Sequence, residues 1–463
     1  MAFIEPYVVA FSNLVWSYVF YLIICGGALL LIYSRFTPFR YVKHAFDLIR
    51  GRYDDPSDPG DVSHFKALVS ALSATIGMGN ISGVAIAITT GGPGAIFWMW
   101  ISAFVGMATK FFTCSLAIMY RGKDTAGRIQ GGPMYVISEG LGSAWKPLAI
   151  LFAVAGVIGC LPLLQPNQLI QIFRDVVFSS YLPPGHGHFQ FDLIAGVVLS
   201  VLVAVVIFGG ITRIAEVASR AVPAMVVLYM VSTLWIILNN LDEVPRYLSL
   251  ILTDAFTGTA VAGGVVGTTI VTGVRRAAFS NEAGIGTEAL AHGAAKTGEP
   301  VREGLVAMVG PVIDTMIVCT CTALVILMTG VWRTTSDDGV TLTAGAFEAA
   351  MPGFGAYILT VCVFFFAVTT LLTYSYYGAK CLSFLIGARY AKYYNVAYVV
   401  FVVVASVASI DAVISFADGL FALMAIPTMT SALRLAPRVM TSFRRYNTSS
   451  THDSRKSVRP SAV

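Results

Sequence analysis

Eleven apolar stretches, each near the roughly twenty residues that span a bilayer's hydrocarbon core, follow one another along this chain and set its first limit. Backbone groups in hydrocarbon must find hydrogen-bond partners within the chain, so unbroken stretches of this length become helices. They cover residues 14–33, 65–90, 95–120, 147–177, 191–208, 214–238, 256–274, 305–331, 355–386, 394–410 and 413–433. Composition agrees: 56% of the 463 residues are hydrophobic and 12% charged, against about a quarter charged in soluble domains. The chain reads as an all-α polytopic membrane protein with eleven transmembrane helices.

The loops test that count, because lysine and arginine collect in the cytoplasmic ones. Alternate loops hold Arg35, Arg40, Lys43, Arg50 and Arg52; Arg121, Lys123, Arg128 and Lys146; Arg213; Arg275, Arg276, Lys296 and Arg302; Arg389 and Lys392; and seven basic residues from Arg434 onward. The other face has only Arg174, Arg246 and Arg333. This puts the N-terminus outside and the C-terminus in the cytoplasm. No basic residue precedes Asn13 and no small-residue cleavage site follows the first run, so the first span is expected to be retained. The net charge of +5 is explained by these loops and the tail, which argues against a nucleic-acid partner. Cys25, Cys114, Cys160, Cys319, Cys321, Cys362 and Cys381 lie in apolar runs and read as small buried hydrophobes.

With the first span set aside, ten remain, and two sets of five run in opposite directions. Secondary transporters use such inverted repeats, with the substrate where paired broken helices meet at mid-membrane. Each half opens on a glycine-interrupted span: Ser73-Ala-Thr-Ile-Gly-Met-Gly-Asn80, and Gly263-Gly-Val-Val-Gly-Thr-Thr-Ile-Val-Thr-Gly273. Glycine costs about 0.5–1 kcal/mol against alanine within a helix, so both clusters favour local unwinding. Close helix packing through small residues is the competing reading.

The blocks Gly77-Met-Gly-Asn-Ile-Ser-Gly-Val84, Gly91-Gly-Pro-Gly-Ala-Ile-Phe-Trp-Met-Trp100, Gly131-Gly-Pro-Met-Tyr135, Phe279-Ser-Asn-Glu-Ala-Gly-Ile-Gly286 and Tyr374-Ser-Tyr-Tyr-Gly378 carry a more specific likeness. With Gly106-Met-Ala-Thr-Lys110, Ala291-His292 and Ile313-Asp-Thr315 they resemble the alanine or glycine:cation symporter family, from about residue 65 to 433. The resemblance implies sodium-coupled uptake of alanine or glycine on a LeuT-like fold: one N-terminal helix, then a five-plus-five inverted repeat. The expected organisation is an outer N-terminus, first span and cytoplasmic loop over 1–64, a transporter core over 65–433 with repeats at 65–238 and 256–433, and a basic tail over 434–463. From residue 444 onward that tail has almost no apolar anchor and reads as disordered.

Unwinding between Thr75 and Gly79 would expose N–H groups suited to a carboxylate and carbonyls suited to a cation. Thr75, Gly77, Met78, Gly79 and Asn80 are therefore candidate substrate contacts, with Thr268 and Thr269, beside Gly267, offering carbonyls to the ammonium group. Gln165 matches a substrate-contacting glutamine of the family, and Asn167 and Gln168 are weaker candidates. By resemblance, one sodium is held by the carbonyls of Ser73 and Ile76 and the side chains of Thr369 and Thr370, whose alternative is a bond to their own helix backbone. The chain departs from the family at Met78, where Thr is frequent, at Tyr374, where Trp is frequent, and at Ala379, where Glu is frequent. Tyr374 is retained as a substrate contact.

Among ionisable groups at membrane depth, Lys110, Arg220 and Lys380 read as snorkelling toward the cytoplasm. Asp314 is expected to pair with Arg275 or Arg276, Asp418 is a further suspect, and Glu282 and His292 read as loop scaffolding. The functional expectation is a plasma-membrane symporter with Na+ as coupling ion and no organic cofactor, a small neutral amino acid and lipid as partners, and no obligate protein partner. A proton-coupled carrier of the same fold is the alternative, then a channel. The spans lack His-Glu-x-x-His or a clear catalytic arrangement, which disfavours an enzyme.

Overall fold

The computed structural model describes residues 5–182, 188–256, 265–335, 337–408 and 410–456. Among them, nine helices are long and apolar enough to cross a membrane. Helix α1 (Glu5–Tyr33) is followed by α2 (His64–Thr75), α3 (Met78–Gly91) and α4 (Ala95–Met119). An antiparallel hairpin, β1 (Gly122–Lys123) and β2 (Ile129–Gln130), leads into α5 (Lys146–Gly159), α6 (Leu164–Ile172), α7 (Phe189–Ile207) and α8 (Gly210–Asn239). The second half holds α9 (Val265–Asn281), α10 (Glu288–His292), α11 (Pro300–Ala307) and α12 (Thr320–Thr329). It ends with α13 (Gly339–Ala350), α14 (Gly355–Ile386), α15 (Ala391–Ser406) and α16 (Ile410–Lys456).

Burial separates the centre of the bundle from its wall. The segment His64–Gly91, containing α2 and α3, is 94% buried over its apolar window, whereas Phe189–Ile207 is 28% buried and presents its apolar side chains outward. The glycine-interrupted span is therefore central, where its polar groups are shielded from lipid.

Several expected spans are refined. The run 147–177 is interrupted over residues 160–163, between α5 and α6, on either side of Pro162. The run 305–331 contains a wider π-type winding at Val312–Cys319. The run 394–410 gives α15, of 16 residues, and residue 409 lies outside the described residues. In the run 256–274, residues 257–264, Gly263 and Gly264 included, lie outside them too, and α9 extends on to Asn281. Arg275 and Arg276 consequently sit within a helix and not in a basic loop. Cys25 is exposed, and the other six cysteines are buried as expected.

The tail is also corrected. Helix α16 continues to Lys456, and only 457–463 lie outside the described residues. Leu435, Val439, Phe443 and Tyr446, spaced three or four apart, form a buried helical stripe. His44 lies 2.6 Å from the Tyr446 hydroxyl, and Tyr41 donates to Asn447 Oδ1 at 3.1 Å. At its other end α16 packs on α1, where Trp16 Nε1 donates to the Asp418 carbonyl at 3.0 Å.

Candidate functional site

The first break falls between α2 and α3, at Ile76 and Gly77. Ile76 turns to ψ 93, out of the helix, and Asn80 Oδ1 accepts the Gly77 N–H at 2.9 Å to start α3. Glycine is required at 77 because a Cβ there would lie 2.6 Å from Thr370 Oγ1. Ser73, Thr75, Ile76, Met78 and Asn80 are all buried around the break.

Helix α14 crosses this break. Thr370 Oγ1 donates to the Ser73 carbonyl at 3.0 Å and has a second acceptor, the Phe366 carbonyl, at 2.9 Å. Thr373 Oγ1 lies 2.5 Å from Ser73 Oγ. Thr369 Oγ1 bonds back to the Phe365 carbonyl at 2.8 Å and approaches Met225 Sδ at 3.5 Å. Helix back-bonding thus accounts for Thr369, whereas Thr370 reaches across to the broken helix.

No break falls in the described part of the Gly263–Gly273 cluster. Helix α9 runs unbroken through Gly267, Thr268 and Thr269, so their carbonyls belong to the helix ladder; Thr268 is exposed and Thr269 buried. The chain leaves the helix at Glu282 and re-enters it at Glu288, with Glu282, Gly284 and Gly286 at φ 58, 88 and 97. Left-handed backbone disfavours side chains, which explains the Gly-Ile-Gly spacing. Glu282 tolerates that region at a cost of order 1 kcal/mol. In that non-helical stretch Glu282 is fully buried and accepts the Tyr374 hydroxyl at 2.8 Å, which ties the break to α14. Gly79 of the first break packs on Ser280 near the second, so the two breaks are adjacent.

Gln165, at the start of α6, is buried and makes no side-chain hydrogen bond among the described residues. Its neighbours are committed. Gln168 Oε1 accepts from Ser82 at 2.6 Å and from the Val340 N–H at 3.0 Å, and Asn167 donates to the Ala408 carbonyl at 2.7 Å.

The buried charges are arranged differently from the expected ion pair. Among the described residues Asp314 meets no arginine; it accepts from Asn80 at 2.8 Å, Ser280 at 2.7 Å and Thr315 at 2.7 Å, which joins α3, α9 and the π-type segment. Arg276 pairs with Asp418, and Arg275 lies 3.9 Å from the same carboxylate and donates to Asn13 at 3.0 Å. Lys110 is 1% exposed, so it does not snorkel. Lys380 is also buried and donates to the Leu290 carbonyl at 2.9 Å, whereas Arg220 is exposed and pairs with Glu216 on its own helix. Glu303 takes one imidazole on each oxygen: His64 at the base of α2, and His292 of α10 at 2.5 Å. Glu303 was missed because an acid just outside an apolar run reads as solvated, and the signal for the break at Glu282 was the Gly-Ile-Gly spacing beside Asn281-Glu282.

The basic loops brace this end. Arg121 donates to the carbonyls of Pro59 at 2.9 Å, Gly293 at 3.0 Å and Ala295, and burial lowers its pKa. In the hairpin, burial pushes the Asp124 carboxyl upward, but N–H groups of Arg128 and Ala126 and the Arg128 charge hold it below its ordinary value.

Comparison with known proteins agrees with this architecture. The profile described as the Sodium:alanine symporter family matches residues 1–460. The sodium/alanine symporter AgcS of Methanococcus maripaludis is 39% identical over 446 residues, 94% of this chain and 96% of that protein. An uncharacterized transporter of Haemophilus influenzae is 40% identical over 444 residues, 93% of this chain and 94% of its own. Among solved structures, MhsT in complex with L-phenylalanine superposes with a TM-score of 0.60 at 11% identity, covering 83% of this chain and 99% of MhsT, which shows the LeuT-like fold. With its two adjacent helix breaks inside a multi-pass membrane bundle, the chain belongs to the sodium:alanine symporter family, a family of transporters and not of enzymes.

Proposed function

We propose that the chain carries alanine or glycine into the cell together with sodium by alternating access. The observation that carries this reading is the Thr370 hydroxyl on the Ser73 carbonyl, which brings hard oxygens of two elements together beside an unwound backbone. Sodium would take the carbonyls of Ser73 and Ile76 with the hydroxyls of Thr370 and Thr369. Thr370 can turn its proton to the Phe366 carbonyl at 2.9 Å and offer a lone pair to the ion. The N-terminus of α3, at Met78 to Asn80, suits the substrate carboxylate. Gln165 and Tyr374 line the remainder, and Thr75 closes the α2 side.

Eleven spans, with α9 and α15 as the two shorter crossings, would place the N-terminus outside and the C-terminus in the cytoplasm of a cell membrane. Sodium entry supplies the work, because one charge moving through the membrane potential yields about 2.3 kcal/mol per 100 mV. Proteoliposomes loaded under opposing gradients test the reading. Labelled alanine or glycine should accumulate with inward sodium. Equal accumulation without sodium sinks the coupling, and accumulation driven by a pH gradient alone supports the proton-coupled alternative.

A further inference from the structure

One carboxylate holds the near ends of both broken helices. Glu303, in the first turn of α11, accepts His64 Nδ1 of α2 on one oxygen and His292 Nδ1 of α10 on the other, the latter at 2.5 Å. All three side chains are at most 1% exposed. Helices α2 and α10 are the segments that the two breaks separate from α3 and α9, and their flanks are joined to each other. The Lys296 N–H donates to the Val62 carbonyl at 2.6 Å, and the Asp61 N–H to the Ala294 carbonyl at 2.9 Å. On the other side of Glu303, α11 is seated closely on α4, where a Cβ on Gly304 would lie 2.5 Å from the Phe111 carbonyl. Glu303 therefore links a hinged pair of segments to a closely packed pair of helices.

Other ionisable groups surround this link. Asp54 and Arg302 face His64, Glu288 of α10 faces His292, and Cys114 of α4 and Arg121 beyond it face Glu303. Arg302 is faced in turn by His44 and Asp47, from the helical segment Val42–Ile49, and by the Tyr446 ring of α16. From α14, Lys380 donates to the Leu290 carbonyl of α10 at 2.9 Å. Arg121 binds the same segments through the Pro59 and Gly293 carbonyls, a connection independent of imidazole charge. Among these groups, the imidazoles are the ones whose ordinary titration falls between about pH 5 and 8. A charged imidazole on a carboxylate makes a bond roughly twice as strong as a neutral one.

We propose that Glu303, His64 and His292 form a proton-sensitive tether holding α2 and α10 against α11, which parts when substrate leaves toward the cytoplasm. Acid strengthens it by charging the imidazoles, and alkali leaves the weaker neutral hydrogen bonds, so a falling cytoplasmic pH slows inward opening. The seam it closes is lined by small side chains. Cys114 and Ala117 of α4, Ala289 of α10 and Ala307 of α11 pack in one buried cluster. Parting α10 from α11 there forfeits little apolar area and opens a way toward Glu282 and Gly284 at the second break. The proposal rests on the alternating-access reading above and names the contact that regulates it; the proton acts as a regulator and not as the coupling ion.

Cys114, buried in that seam, reports its parting. N-ethylmaleimide labelling of the purified full-length protein in lipid nanodiscs, with sodium and alanine present, is followed at the Cys114 peptide by mass spectrometry. The range runs from about pH 5.5 to about 8.5, either side of the ordinary imidazole value of about 6.5. Dividing the Glu303→Gln rate by the wild-type rate at each pH cancels the thiol's own ionisation. The ratio should be about tenfold or more at the acid end, the size of an ordinary coupling free energy, and fall several-fold toward the alkaline end. His292→Gln, which keeps the carboxylate and its bond to His64, should show the same trend at smaller amplitude and carries the test if Glu303→Gln fails to fold. A ratio that is flat or rises with pH overturns the tether, since a purely structural loss loosens the seam equally at every pH. So does labelling as slow in both variants as in wild type. If the ratio falls as expected while sodium and alanine leave wild-type labelling unchanged, the tether holds and the alternating-access reading fails. If sodium and alanine change the labelling and the ratio is flat, the tether fails and that reading stands.

Discussion

Thr370 on α14 and Ser73 on α2 stand 297 residues apart in sequence and share a 3.0 Å hydrogen bond across the first helix break. Removing that hydroxyl should act on sodium before it acts on the fold. Thr370→Ala is expected to raise the sodium concentration for half-maximal uptake by about tenfold or more, equivalent to about 1.4 kcal/mol or more of ion binding. Thr370→Ser should stay near wild type. Uptake against sodium concentration, read beside thermal unfolding of the same samples, checks the separation.

Gly77 faces the same hydroxyl. Gly77→Ala puts a methyl 2.6 Å from Thr370 Oγ1, so transport should fall by about tenfold or more, the cost of overpacking by about 1–3 kcal/mol. Combining Gly77→Ala with Thr370→Ala should be less damaging than the sum of the two, because the second change removes the atom the first one strikes. A double-mutant cycle on uptake rate measures it, and strict additivity would show that the two residues act apart.

The pairing of Arg276 with Asp418 ties α9 to α16, and both side chains are nearly fully buried. Arg276→Ala should lower stability by about 3 kcal/mol, since it leaves the buried carboxylate only the longer contact with Arg275 at 3.9 Å. Arg276→Met with Asp418→Leu should recover much of that, because it removes both charges together. Thermal unfolding in detergent distinguishes the two cases, and equal losses would mean the pair acts through packing alone.

Asp314 accepts from Asn80, Ser280 and Thr315, so an amide in its place turns a hydrogen-bond donor toward donors. Asp314→Asn should destabilise by about 1–3 kcal/mol and reduce uptake, since it loosens α3 from α9 next to both breaks. Asp314→Asn at wild-type stability would remove it from the list of braces.

Asp124 gives a pH signature outside the membrane. Its carboxyl is held below the ordinary value when folded, so its contribution is present above the unfolded pKa of about 3.9 and is lost as pH falls through the lower folded value. Protection of the amides at residues 122–130, taken relative to their intrinsic exchange rates, should therefore fall at acid pH in wild type, whereas Asp124→Asn should show low protection throughout. A wild-type hairpin with exchange protection flat across that range would contradict it.

The sequence carried the spans and the first break because both are local statements. Twenty apolar residues must cross as helix, and Gly77 and Gly79 interrupt one. The second break was misplaced since glycine count is a weaker signal than glycine conformation. Gly267 and Gly273 lie inside α9 without ending it, while Gly284 and Gly286 occupy φ values that no helix contains. Partner choice among buried charges was illegible for a different reason. Arg275 and Arg276 were expected at Asp314, and only the packing of α9 against α16 assigns them to Asp418. The helical tail escaped notice because its buried stripe, Leu435 to Tyr446, is thin and lies among five arginines at 434, 438, 444, 445 and 455.

The seam between α1 and α16 bears on how the chain is made. Trp16 is synthesised 402 residues before Asp418, the residue whose carbonyl its indole nitrogen meets, and Tyr41 waits 406 residues for Asn447. A nascent chain inserted from its N-terminus must therefore hold its first helix in lipid, without its final neighbour, until translation is nearly complete. Truncation before residue 414 would leave α1 in the bilayer but deprive it of that neighbour, which makes completion of the last helix the event that closes the bundle.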